Sequence, residues 1–194
     1  RDVLGSRGLG DVYKRQDRRN AMQERQSIPL VGLFIAIIVI FGFFPAIPLA
    51  ISPVPLVLQN MGVMVVTLLL PTRQSLAAIG LFLLLVLVGL PVLASRQAGS
   101  AVFLGPNGGY LVGWLIMPLM LQGLTYGRVP RLVAILLSAM GVDILGAVWL
   151  STVTTMSLPQ ALVATLAFIP GDSLKAVGAW WLAQRLRKWA PKMI

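Results

Sequence analysis

Residues 71–93 read PTRQSLAAIGLFLLLVLVGLPVL, and beyond Ser75 not one side chain in the stretch is polar. At 1.5 Å of rise per residue, a helix from Ser75 to Val92 covers most of a bilayer core of about 30 Å. Pro71 and Pro91 bound the run, and neither can continue a helix through it. Read alone, the segment is one membrane span.

Working outward, five further apolar segments of similar length appear, approximately Leu30 to Ile47, Val54 to Leu70, Gly108 to Tyr126, Leu132 to Leu150 and Leu158 to Leu186. Pro48, Ser52, Pro53 and Pro55 punctuate the first break, and Gly127 with Pro130 the fourth. The expected fold is an all-α integral membrane protein, a six-transmembrane-helix bundle. The second span begins in a Pro-rich stretch and is short, so a re-entrant or tilted segment stays open there. Composition agrees: 57% of the 194 residues are hydrophobic and 11% charged, far from a water-soluble domain. Residues 1–21 differ in composition from the remainder and are expected to be a non-native or disordered extension. Residues 22–194 form the single membrane domain.

The net charge of +10 is unevenly placed, so it is not read as a nucleic-acid footprint. Basic residues collect at the amino terminus, at Arg73, at Arg128 and Arg131, and at Arg185, Arg187, Lys188 and Lys192, whereas Arg96 stands alone. Cytoplasmic loops gather Lys and Arg. That bias places both termini inside and the Arg96 loop outside, in a multi-pass protein of a prokaryotic cell membrane. Trp180, Trp181 and Trp189 beside the last cluster fit an interfacial anchor.

The chain has no Cys and no His, which removes thiol nucleophiles and the commonest metal ligand and general base. An enzyme is not expected. Ionisable groups at membrane depth then ask for a partner or a task. In FIPGDSLKAVGAWWLAQRL (168–186), Asp172 and Lys175 lie three apart on one helical face, just after an expected break at Pro170 and Gly171. One reading is a self-neutralising ion pair. The other is a recognition pair, the carboxylate taking ligand N–H groups and the ammonium a ligand acid or carbonyl. Arg96 lies in a long, Gly-rich loop, a candidate lid that would attract an acidic solute. In GPNGGY (105–110), Gly109 permits backbone approach to a ligand, while Asn107 and Tyr110 bring hydrogen-bonding groups. Gln59, followed by Asn60, is a buried amide that must find a partner. For Asp143, in the fifth span, protonation, pairing with Lys175 and contact with a solute all stay open. On the first span, Gly32 and Ala36 form a small-xxx-small pair that admits a neighbouring helix.

Three segments together resemble the BioY family, the biotin-binding membrane subunits (S components) of energy-coupling-factor vitamin transporters: PVPLVLQNMGVM with the stretch at 71–93, LGPNGGYLVGWL, and IPGDSLKAVGAWWLA. The resemblance runs from about Leu30 to Arg187. It implies capture of biotin from outside and its delivery inward with a transmembrane coupling protein (T component) and two ATP-binding-cassette ATPases. No cofactor is implied, and ATP acts only through the partners, since the chain has no GxxxxGK[ST] phosphate loop. Carried over, Asp172, Lys175, Asn107, Gly109 and Tyr110 are ligand contacts, with Gln59 and Arg96 as weaker transfers. The family commonly has Thr at Asn107 and a neutral residue at Asp143. Gly32 and Ala36 partly match the seam used against the coupling protein. Biotin suits these residues, with Asp172 assigned to its ureido N–H groups and Lys175 and Arg96, in either order, to its carbonyl and carboxylate. The alternatives are an S component for another vitamin, such as thiamine or riboflavin, and an intramembrane enzyme using Asp143 and Asp172 as a carboxylate pair, which requires the two to face each other across helices.

Overall fold

The computed structural model describes residues 28–189; the segment 1–21, Met22 and Lys192 lie outside them. Helix α1 (Ile28–Gly42) is followed by two short strands, β1 (Ile47–Leu49) and β2 (Ser52–Leu56). Then come α2 (Gln59–Leu69), α3 (Thr72–Val88) and the single turn-and-a-half of α4 (Ser100–Leu104). The chain closes with α5 (Gly108–Tyr126), α6 (Arg131–Val153), α7 (Leu158–Leu166) and α8 (Phe168–Trp189).

The region expected to hold the end of the first span and the start of the second is instead a hairpin. The strands pair antiparallel, Ile47 opposite Leu56 and Leu49 opposite Ser52. Pro53 and Pro55 have no N–H, so the residues able to donate are the alternate ones, which suits a two-stranded ribbon and forbids a helix. The first helix stops at Gly42, short of Pro45, because the residue before a proline is pushed out of the helical region. What remains of the second span is α2, with 11 residues, about 16 Å of rise. All but Met61 are buried. A helix buried on nearly every side belongs in the middle of a bundle, and α2 is that core helix.

Its carboxyl end is closed from two sides. The Ser75 hydroxyl donates to the Val66 and Leu70 carbonyls, both at 3.2 Å, and the Arg187 guanidinium donates to the Leu68 carbonyl. These satisfy carbonyls that a helix terminus leaves without intrahelical partners. The main core gathers Ile38, Met64, Ile79, Phe82, Met117 and Ile135 around α2, and a smaller cluster of Val54, Leu150, Ala161 and Phe168 lies under the hairpin.

Among the described residues, α5 and α6 are the two helices long and apolar enough to cross a membrane, and α7 with α8 passes the same length and hydropathy test as one pair bent by 48°. The break in this last segment is at Ala167 and not at Pro170–Gly171. Pro170 sits in the first turn of α8, where no intrahelical N–H is needed, so it interrupts nothing and Asp172 and Lys175 ride on continuous helix. Leu33, Leu84, Leu87, Leu119, Leu137, Ile144 and Val148 leave large apolar side chains on the outside of the bundle. Such a surface suits lipid and not water, and the molecule is a membrane protein.

Candidate functional site

Between the hairpin, α2, α5, α6 and α8 lies a cavity of about 620 Å³ of empty space, its mouth included. The hairpin and its exit contribute Val54 to Val57, the loop after α3 Leu93 to Ser95, and α5 Tyr110, Leu111 and Trp114. Most of the wall is therefore aliphatic or aromatic. Polar groups converge on it from three helices: Gln59 and Asn60 on α2, Asp143 on α6, and Asp172 and Lys175 on α8, with Asn107 at the start of α5.

Asp172 and Lys175 form an ion pair and are only 5% and 8% exposed. Each has a further partner on a different element. The Lys175 ammonium donates to the Val57 carbonyl at 2.9 Å, and the Asn60 amide donates to the Asp172 carboxylate, also at 2.9 Å. Two desolvated charges stabilise a fold poorly, because the loss of hydration offsets most of their attraction. Their siting on the wall of a cavity is what a recognition role requires. The carbonyl at position 57 is free to accept because the strand ends there before α2 begins.

Tyr110 lines the cavity with its hydroxyl 3.3 Å from that of Thr165 and its ring edge-on to Phe168, centroids 5.8 Å apart. Asn107 also lines it and donates to Gln97 at 3.1 Å. Trp149 holds this loop by donating to the Gly105 carbonyl at 2.9 Å.

Two of the expected contacts lie outside the wall, and a third lines it with its amide already engaged. Gly109 is not in the wall. A Cβ there would lie 2.8 Å from the Leu145 carbonyl and overlap Trp149, so this glycine exists to let α5 press against α6. Arg96 is also outside the wall, in a left-handed backbone conformation (φ 58°) next to the lining residues Leu93 to Ser95. Gln59 is in the wall but its amide is fully engaged. It donates to the Ile38 and Val92 carbonyls at 3.2 and 2.8 Å and accepts from the Ala94 N–H at 3.0 Å. It thus staples α1 and the Arg96 loop to α2.

Three polar lining residues, Asn60, Ser95 and Asp143, were not selected from the sequence. Asn60 could have been found by the argument that picked out Gln59, since both are amides in one apolar run. Asp143 was left open. It shares the cavity wall with Asp172 and Lys175. No group of three or more metal-ligating side chains occurs among the described residues. On α1, Gly32 and Ala36 are both exposed, and nothing lies within 4 Å of where a Gly32 Cβ would be.

Comparison with known proteins was made against this geometry. Residues 16–192 match the model described as the BioY family. A biotin transporter BioY of Lactococcus lactis subsp. cremoris (strain MG1363) is 37% identical over 177 residues, covering 86% of this chain and 93% of that protein. One of Rhizobium etli is 38% identical over 166 residues, covering 79% and 89%. Among solved structures, the S-component for biotin from an ECF-type ABC transporter superposes with a TM-score of 0.79 at 38% identity, covering 86% of this chain and 93% of that one.

Proposed function

The chain belongs to the BioY family, and from that premise we propose that it is the S component of an energy-coupling-factor transporter, the subunit that binds biotin for uptake. The observation that carries the reading is the Asp172–Lys175 pair, buried on the wall of an otherwise apolar cavity. Biotin has matching parts: a flat bicyclic body for the aliphatic and aromatic walls, a ureido group with two N–H donors and a carbonyl, and a carboxylate tail. Lys175 and Asp172 face the polar parts, Asn107 and Tyr110 stand at the cavity's side, and Arg96 in the adjoining loop draws the anion toward the mouth.

Six membrane crossings with both termini cytoplasmic are part of the proposal. Arg73, Arg128 and Arg131 on one side, against Arg96 on the other, support the orientation. Biotin then enters from outside and is released inward when a T component and two ATP-binding-cassette ATPases act on the subunit. The exposed pair Gly32 and Ala36 is the seat for the coupling protein on α1. The relatives are named as transporters, and no enzymatic step is assigned to Asp143 and Asp172.

The deciding measurement is biotin titration of the detergent-purified chain by calorimetry or Trp fluorescence, with thiamine and riboflavin alongside. Lys175→Ala and Asp172→Asn each weaken biotin at least tenfold, about 1.4 kcal/mol. Unchanged affinity in both variants refutes the site, and saturable binding of thiamine or riboflavin in place of biotin refutes the ligand.

A further inference from the structure

A second recess lies well apart from the central cavity, where α5 ends and α6 begins. It holds about 920 Å³ of empty space, the solvent at its mouth included, and its lining includes Gln122, Thr125, Tyr126, Arg128, Pro130 and Arg131. Both arginines are exposed, and neither guanidinium has an ion-pair partner among the described residues. Of the six acids in the chain, only Asp143 and Asp172 are among the described residues, and both lie in the wall of the central cavity. The other four fall in residues 1–25, which hold seven basic residues and so have no negative charge to spare. The countercharge for this recess therefore comes from another molecule. The turn itself favours a cation over an easier backbone. The Val129 N–H donates to the Leu124 carbonyl and the Arg128 N–H to that of Thr125, a helix ending whose left-handed residue is usually Gly. Here that residue is Arg128, at φ 65°, although Gly127 stands next to it.

The recess also continues into an apolar face. Along α5, Val112, Leu115, Leu119, Gln122 and Tyr126 recur at three- and four-residue spacing, which puts them on one side of the helix, and all five are exposed. The first three are apolar and the last two line the recess. On α6, Val133, Leu137, Met140 and Ile144 are exposed as well. With 19 and 23 residues, about 28 and 34 Å of rise, the two helices each traverse most or all of a layer of about 30 Å, so the turn joining them lies at its boundary with water. Tyr126, 92% exposed, suits that boundary.

We propose that this recess binds the headgroup of an anionic phospholipid, its phosphodiester held by Arg128 and Arg131 and its acyl chains lying on the exposed stripe of α5. A guanidinium matches the paired oxygens of a phosphate, and basic recesses between membrane helices select anionic headgroups by this chemistry. A free phosphate would use the two cations and leave the apolar stripe without a role. The inference is independent of what the central cavity takes.

The test titrates the detergent-purified, delipidated full chain with dioleoyl phosphatidylglycerol and, separately, with dioleoyl phosphatidylcholine, bound lipid being counted by native mass spectrometry. The wild-type protein is expected to bind phosphatidylglycerol at least about tenfold more tightly. Arg128→Gln with Arg131→Gln abolishes that preference, whereas Arg73→Gln with Lys188→Gln, a change of the same charge at two other exposed positions, keeps it. Inorganic phosphate at millimolar concentration leaves the lipid bound. Equal affinity of the wild-type protein for the two lipids overturns the inference. So does an equal loss in both double variants, which marks diffuse attraction to charge, and so does displacement by inorganic phosphate, which marks a site for the free ion. Where the Arg128 and Arg131 double variant does not fold, each single substitution carries the test. Failure here leaves the biotin titration as it stands, and a chain that binds no biotin leaves this result as it stands.

Discussion

Lys175 holds an ammonium among apolar helices by giving it a carboxylate and a backbone carbonyl. Removing one member of such a pair leaves a bare charge, a change that typically costs about 3–5 kcal/mol, whereas removing both costs far less. In the absence of ligand, Lys175→Met is therefore expected to lower the melting temperature in detergent markedly, and Asp172→Asn added to it restores most of the loss. A melt of the double variant no better than that of Lys175→Met would count against a closed pair. Gln59 acts at the same scale without any charge. Gln59→Leu orphans two carbonyls and an N–H, at about 1–3 kcal/mol for each group that stays buried. The expected result is a less stable protein whose loop at 92–96 is cut more rapidly by protease.

At the scale of elements, the punctuation in the sequence was reliable where it was made of residues that end helices. The expected fourth span coincides with α5 at Gly108–Tyr126, and the fifth falls within α6. A continuous apolar run carries no such mark. The stretch 54–70 is apolar apart from Gln59, Asn60 and Thr67 whether it is a strand followed by a core helix or a single span, and only pairing with Ile47–Leu49, at the expected end of the preceding span, selects the former. The break at Ala167 has no signature at all, and Pro170 pointed to a place three residues too late. The site followed the same logic. Charged and amide residues stood out against an oil-like background, but the place of Gly109 against α6 was not legible, because a glycine that admits a ligand and one that admits a helix look identical in sequence. The second role is testable on its neighbour one turn along. A Cβ at Gly113 would lie 2.8 Å from Val142 Cγ1, so Gly113→Val should separate α5 from α6 and cost about 1–3 kcal/mol, read as a lower melting temperature.

For the whole molecule, the proposed function predicts that binding and transport are separable. Gly32 and Ala36 lie on the outer face of α1 and are not among the cavity's lining residues. Gly32→Leu with Ala36→Leu is expected to leave biotin affinity in detergent within about twofold while abolishing uptake by cells that carry the coupling module. Loss of affinity in that variant would show that the face supports the fold and not a partner. The absence of cysteine makes the orientation directly measurable, because any introduced thiol is unique. Arg96→Cys should react with a membrane-impermeant maleimide in intact cells, and Arg128→Cys only after the cells are opened.

The central rod of the bundle, α2, reaches only about half-way through a layer of about 30 Å, and a ribbon laced with prolines precedes it in the chain. The two halves then differ in how firmly their amides are locked. Deuterium should enter the backbone of residues 47–56 orders of magnitude sooner than that of 62–69, and saturating vitamin should slow the former while leaving the latter untouched. That result would make the ribbon half the compliant face, and the proposed solute would then enter and leave on that side.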